Sequence, residues 1–264
     1  MDYKDLIVKR DGRIAQIIFN RPEQRNSITP NTLNELYAAF KEMDKDDNIG
    51  VVFLRGAGTN FCAGLDLKIA LGALEDNPVE FRKNESLVRE IQETIEELSK
   101  PVIAAVHGPA IAGGFIFAYF CDLIIATEDA VFGDAHALWG LVPGVIEPQI
   151  FARNFGVGMA KRLFLTGDRL TAKEAQEIGF VYKVVPTGKL DEAIDEMGAK
   201  FAKMNTLSIA MMKKQLATVM KTDWKTMIEK DNLLRTKTPG ITAGIFTDAA
   251  KERLLSFTKK GKGD

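Results

Sequence analysis

Three short runs constrain this chain more than any other feature. IGVVFLRG (49–56), PVIAAV (101–106) and DLIIAT (122–127) are apolar at almost every position. Strands of that kind bury both faces, which is the habit of a parallel sheet covered on both sides. The segments around them carry helical spacing. SITPNTLNELYAAFKEMDKD offers Thr29 as N-cap and Pro30 at the first helical position, with Leu33, Leu36, Tyr37, Phe40 and Met43 along one face. A longer helical pattern covers Val79 to Leu98 and stops before Pro101, and two more run near Val157–Leu165 and Ala172–Ile178, ahead of a strand FVYKVV. LIVKRDGRIAQIIFN alternates around Asp11-Gly12, the signal of a tight β-hairpin. Strands alternating with helices predict an α/β core over residues 1–190. Residues 191–264 read as wholly helical, an appendage without strands.

At 264 residues and 46% apolar content the chain is long enough for one full core plus that appendage. A net charge of −1, with no basic stripe interleaved with aromatics, argues against nucleic acid as a partner. No apolar run reaches membrane-spanning length, and MDYKDLIVKRDGR has neither an apolar leader nor an Arg-rich presequence. The two cysteines, Cys62 and Cys121, make no metal-ligand spacing and read as free thiols. A soluble, cytoplasmic protein without a membrane partner is the expectation. Cys62 has no evident base beside it and reads as a buried filler rather than a nucleophile.

Two glycine-rich loops each follow a buried strand. GAGTNFCAG (56–64) invites comparison with a dinucleotide fingerprint, but Asn60 and Phe61 stand about where its third glycine is needed. HGPAIAGGFIFAYFCD (107–122) sets Gly113 and Gly114 at the mouth of an apolar helix with no charge until Asp122. Glycines there serve either of two ends: close packing of helix on strand, or bare N–H groups at a positive helix end. Loops on neighbouring parallel strands open on the same sheet edge, where α/β sites form. One N–H from each then converges on a single oxygen, an arrangement suited to developing negative charge.

The blocks NRPEQRNSIT, FCAGLDLK, KPVIAAVHGPAIAGGF, CDLIIAT, VFGDAHALWGLVPG and LFLTGDRLTAKEAQEIGFVYKVVP, in that order and spacing, resemble the enoyl-CoA hydratase/isomerase, or crotonase, superfamily. The resemblance spans about three quarters of the chain and resumes at ERLLSFTKK. It implies a right-handed spiral of ββα units with a C-terminal helical trimerisation region, assembling as homotrimers or hexamers. It also implies an acyl-CoA substrate whose thioester oxygen lies between the N–H groups of Leu65 and Gly113, with no cofactor beyond the coenzyme A of the substrate. Contacts for coenzyme A carry over to Arg25, Asn26 and Ser27, to Ala63, Asp66 and Lys68 in the first loop, and to Phe257 and Lys260 near the end. Gly114 joins the substrate-binding set.

The chain departs from the hydratase pattern at two points. Hydratases of the family place glutamates where this sequence has Ile116 and His136. Ile116 carries no proton, whereas the unperturbed imidazole of a histidine such as His136 has its pKa near neutrality, and Asp134 stands two residues away to orient its ring. The alternative for His136 is a structural bond to a loop carbonyl. Glu147, between Pro143 and Pro148, is a second candidate base, or else an exposed carboxylate at a helix start. Trp139 reads as a wall of the acyl pocket or as core filler, and His107 as structural. An isomerase, hydrolase or decarboxylase is as compatible with these residues as a hydratase. A non-catalytic acyl-CoA-binding member and a nucleotide-binding module on 56–64 are the rivals from other classes.

Overall fold

In the computed structural model of the chain, the structure describes residues 3–66, 69, 78–141, 143, 147–219, 237, 241–242 and 246–247. Strands β1 (Leu6–Asp11) and β2 (Ile14–Phe19) form the expected hairpin. Asp11 pairs with Ile14, so the two-residue loop is Gly12-Arg13, one position beyond the expected turn. Gly12 takes φ 53° there, a left-handed value that a two-residue hairpin asks of a glycine. Helix α1 (Pro30–Lys45) starts as its sequence dictates: Thr29 Oγ1 accepts from Thr32 N–H and Thr32 Oγ1 accepts from Thr29 N–H. Leu33, Leu36, Phe40 and Met43 are all buried, while Tyr37 packs at the edge of the core.

The chain continues through β3 (Val51–Gly56), α2 (Pro78–Glu97), β4 (Val102–Val106), β5 (Pro109–Ile111) and α3 (Gly113–Phe120). Then follow β6 (Leu123–Thr127), β7 (Val131–Gly133), α4 (Glu147–Phe155), α5 (Val157–Thr166), β8 (Leu170–Thr171), α6 (Ala172–Glu177), β9 (Lys183–Val185) and α7 (Leu190–Ala202). Two sheets result. The larger has the order β1-β2-β3-β4-β6-β9, parallel from β2 onward, and the smaller is β5-β7-β8. β4 passes straight into β5, and β6 into β7, before the chain turns helical. A strand of the large sheet, a short strand of the small one and then a helix make the ββα unit, and its succession makes the spiral.

The all-apolar strands are explained by burial on both faces. Val52, Leu54, Val102, Ala104 and Val106 point into a core shared with α1, α2 and α3. Their neighbours Val51, Phe53, Ile103 and Ala105 point the other way, against Ala193, Ile194 and Met197 of α7. Period-two alternation thus supplies two apolar layers from one strand. On the first face Phe115 of α3 lies 5.6 Å from Phe151 and 5.3 Å from Phe180, ring to ring, which fixes α3 against α4.

This arrangement corrects the expectation of a wholly helical tail after Leu190 on two counts. Helix α7 lies on the sheet and closes its second face, so the compact unit runs Met1–Lys203. The second unit, Met204–Asp264, holds α8 (Thr206–Val219) and also a short antiparallel pair, β10 (Ile241–Thr242) with β11 (Phe246–Thr247). No helix among the described residues is long and apolar enough to cross a membrane. If α7 is the sheet's cover, Ile194→Ala should cost about 2–5 kcal/mol. Urea unfolding checks this, and an unchanged midpoint would mean that α7 is dispensable to the core.

Candidate functional site

β3 and β4 are parallel neighbours, so the chain leaves both at the same sheet edge. The first loop is held down from below. Buried Asn26, at φ 57°, donates its amide N–H groups to the carbonyls of Ala57 (2.8 Å), Asn60 (2.7 Å) and Phe61 (3.2 Å), and its Oδ1 accepts from Arg21 N–H. His107 Nε2 reaches Gly58 O at 2.9 Å. Burial lowers the pKa of that ring below its ordinary value, so it serves as a neutral strut.

The two loops are then stitched together. Cys62 N–H donates to Pro109 O and Ile111 N–H donates to Cys62 O, a parallel bridge between Cys62 and Ala110. On the other side Ile28 N–H donates to Gly64 O and Asp66 N–H to Ile28 O, bridging Ile28 and Leu65. Because that bridge uses the groups flanking Leu65, the N–H of Leu65 itself points to the opposite side. Among the described residues neither Leu65 N–H nor Gly113 N–H has a backbone acceptor. The two are close: a Cβ built on Gly113 would stand 3.7 Å from Leu65 N, and one built on Gly64 would stand 3.0 Å from Gly113 N.

Between them Ala112 adopts φ 48°, ψ −117°, a disfavoured conformation for an L residue. It is held by its N–H on Gly133 O (3.0 Å) and by its carbonyl under Ile116 N–H (3.0 Å), and it turns the chain from β5 into α3 within one residue. Gly114 has the packing role that glycine pairs often have. A Cβ there would fall 2.1 Å from Cys62 O, so Gly114 seats α3 on the first loop.

β5 and β7 run parallel and end opposite each other, Ile111 against Gly133. The chain leaving β5 enters Ala112-Gly113, and the chain leaving β7 enters Asp134-Ala135-His136, side by side. Asp134 is 1% exposed at its side chain. Its Oδ2 accepts from the backbone N–H of His136 at 2.9 Å, and its Oδ1 lies 2.5 Å from His136 Nδ1. The His136 ring remains 21% exposed, so it reaches the surface side of the loop.

The other candidates divide. Asn26 is corrected from a coenzyme A contact to the strut of the first loop, because it is buried and its amide N–H groups hold loop carbonyls. Arg25 is exposed at φ 54°, and its carbonyl accepts Ala63 N–H. Ser27 Oγ donates to Asp66 Oδ2 at 3.1 Å, and Arg21, which the sequence reading missed, joins both through its guanidinium. Ile116 is 2% exposed in the main core. Trp139 is 63% exposed on the 3₁₀ turn Ala137–Trp139, which excludes the reading of it as core filler. Glu147 is the first residue of α4, with its side chain outside the described set. Lys68, Phe257 and Lys260 also lie outside the described residues. Burial pushes the Cys62 thiol up to about 12, which fits a filler and not a nucleophile.

Two sheets joined through ββα units, with two strand-following loops meeting at their edge, define an α/β protein of crotonase architecture. The family model for enoyl-CoA hydratase/isomerase matches residues 9–262, and the chain belongs to that family of enzymes acting on acyl-CoA thioesters. It is 32% identical over 263 residues to the short-chain-enoyl-CoA hydratase of Clostridium acetobutylicum, covering 99% of this chain and 97% of that one. The crotonyl-CoA hydratase of Syntrophomonas wolfei is 29% identical over 265 residues, covering 100% and 98%. The crystal structure of an enoyl-CoA hydratase from Bacillus anthracis superimposes with a TM-score of 0.86 at 32% identity, covering 97% of each chain.

The loop contact makes a direct prediction. Gly64 sits at φ 88°, and an added Cβ would lie 2.9 Å from both Ala112 Cβ and Ile111 O. Gly64→Ala should therefore cost roughly 1–3 kcal/mol of stability. Urea titration measures it, and a neutral result would contradict so close an approach.

Proposed function

We propose that this chain forms a thioester enolate from an acyl-CoA, with the oxygen held between Leu65 N–H and Gly113 N–H and the proton carried by His136. The observation that carries this is the adjacency of those two N–H groups without a backbone acceptor among the described residues. An enolate oxygen needs fixed donors that do not reorganise as charge develops, and backbone N–H groups at a helix start meet that need. Since they supply the charge stabilisation, the reaction asks for no cofactor beyond the coenzyme A of the substrate. Arg25, exposed beside Ala63 at the mouth of the loop, has the charge to meet a coenzyme A phosphate.

His136 takes one of the two glutamate positions of the hydratase pattern and buried Ile116 the other. A single proton carrier suits removal of a proton from carbon and its return there or at a neighbouring carbon, that is, isomerisation by a 1,3-proton shift. Hydration is the second reading, and the relatives named as hydratases favour it. Incubating the protein with an acyl-CoA panel in heavy water, with mass detection, separates deuterium uptake from addition of water, loss of carboxylate or release of coenzyme A. On the isomerase reading, His136→Gln should retain coenzyme A affinity while turnover falls by roughly 10²- to 10⁴-fold, and wild-type hydration of crotonyl-CoA should be slow. Rapid crotonyl-CoA hydration would return the chain to hydratase chemistry. Turnover lost in Glu147→Gln but kept in His136→Gln would move the base to Glu147.

For assembly we propose the homotrimer or hexamer that the resemblance implies, with no nucleic-acid or membrane partner and with cytoplasmic residence. Multi-angle light scattering should return three or six times the 29.2 kDa chain mass. A monomer at micromolar concentration contradicts this.

A further inference from the structure

We propose that Asp134 is the positioning residue for His136: its buried carboxylate fixes the imidazole with the proton on Nδ1, presents Nε2 as the basic nitrogen, and supplies the counter-charge when Nε2 takes a proton. This rests on the reading of His136 as the proton carrier.

A buried carboxylate is costly unless it is paired and hydrogen-bonded. Asp134 sits in such a place, and among the described residues its one ion-pair partner is His136. Both of its oxygens engage that single residue. Oδ2 takes the backbone N–H at 2.9 Å, which sets where the residue stands, and Oδ1 faces Nδ1 at 2.5 Å, which sets how the ring is turned. A carboxylate oxygen opposite Nδ1 favours the proton there, so in the neutral ring the lone pair is on Nε2. With His136 neutral, the pair carries one buried negative charge. When Nε2 accepts a proton from substrate carbon, the imidazolium pairs with Asp134 and that buried charge is neutralised. The C–H bond electrons pass meanwhile to the thioester enolate. Proton and charge therefore balance within the site: the negative charge moves from the Asp134 side to the oxygen between Leu65 and Gly113.

The local sequence makes the pair possible. Asp134 follows the last residue of β7 and is anchored by the strand, while His136 takes helical angles (φ −58°, ψ −47°) at the start of the 3₁₀ turn, which folds it back over the aspartate. Its carbonyl accepts from Trp139 N–H at 3.0 Å and Leu141 N–H at 2.9 Å, so its backbone is pinned from both sides.

The test uses the full-length protein. The chain has two histidines, so ¹⁵N spectra of histidine-labelled protein resolve His136 by comparison with His136→Gln. Neutral His136 should carry its proton on Nδ1, and an Nε2–H tautomer would overturn the proposal even if no Asp134 variant folds. Vinylacetyl-CoA is the kinetic probe, its α-proton exchange in heavy water read by mass. Asp134→Asn should bind it with wild-type affinity yet exchange it roughly 10²- to 10⁴-fold more slowly. The double variant with His136→Gln should be no slower than the slower single variant, because the two residues act as a unit. Wild-type exchange in Asp134→Asn with slow exchange in His136→Gln refutes the positioning role and leaves the base in place. Wild-type exchange in His136→Gln refutes both.

Discussion

The site depends on one contact, the approach of two loop backbones at Gly64, Ala112 and Gly113. Nothing larger than a hydrogen fits at Gly64 or Gly114 without moving a neighbouring backbone atom. The parallel bridge of Cys62 to Ala110 draws the first loop onto the second, and the bridge of Leu65 to Ile28 turns one N–H outward from the stitched pair. The strain held at Ala112 belongs to the same contact. Its φ of 48° lets β5 end and α3 begin within one residue, which leaves Gly113 N–H at the helix mouth. A disfavoured backbone of this kind costs on the order of 1–3 kcal/mol and persists only where surrounding bonds over-determine it. Here those bonds are to Gly133 and Ile116, one from each neighbouring element.

Because the contact is backbone against backbone, its supports are side chains that hold carbonyls. Asn26, His107 and Arg21 each do this: Asn26 on Ala57, Asn60 and Phe61, His107 on Gly58, and Arg21 on Ser27. Polar side chains this close to a site invite assignment as ligand contacts. Their hydrogen bonds to loop carbonyls instead make them the frame, while Arg25 is exposed and His136 partly so. The aromatic packing of Phe115, Phe151 and Phe180 behind α3 serves the same end from the core side, since it keeps Gly113 from drifting with its helix.

What was legible in the sequence follows from which signals are local. Thr29 and Pro30 mark a helix start through bonds within four residues, and apolar runs such as PVIAAV mark strands through burial alone, so both were readable. The meeting of the two glycine loops was readable because parallel strands fix the edge from which they leave. The placement of α7 was not. An amphipathic helix after the last strand has the same pattern whether it covers a sheet or a partner, and only the uncovered face presented by Val51, Phe53 and Ile103 decides between them. The frame role of Asn26 was hidden for a like reason: its partners lie 31 to 35 residues away, across a loop whose path the sequence does not specify.

The same frame bears on the chemistry proposed. Adding water across a double bond needs one group to take a proton from water and a group to deliver one to carbon. Of the two positions that the resemblance gives to glutamates, one is here Ile116, which is buried in the core and carries no proton. The other is an imidazole tied to a buried aspartate. On the proposed reading, one histidine–aspartate pair serves for a proton that leaves carbon and returns to carbon. The charge developed on the way is then shared between fixed dipoles at Leu65 and Gly113 and a histidine whose counter-ion is already in place. On that reading the exchange of two glutamates for isoleucine and histidine keeps the enolate and changes only where its proton comes from and goes.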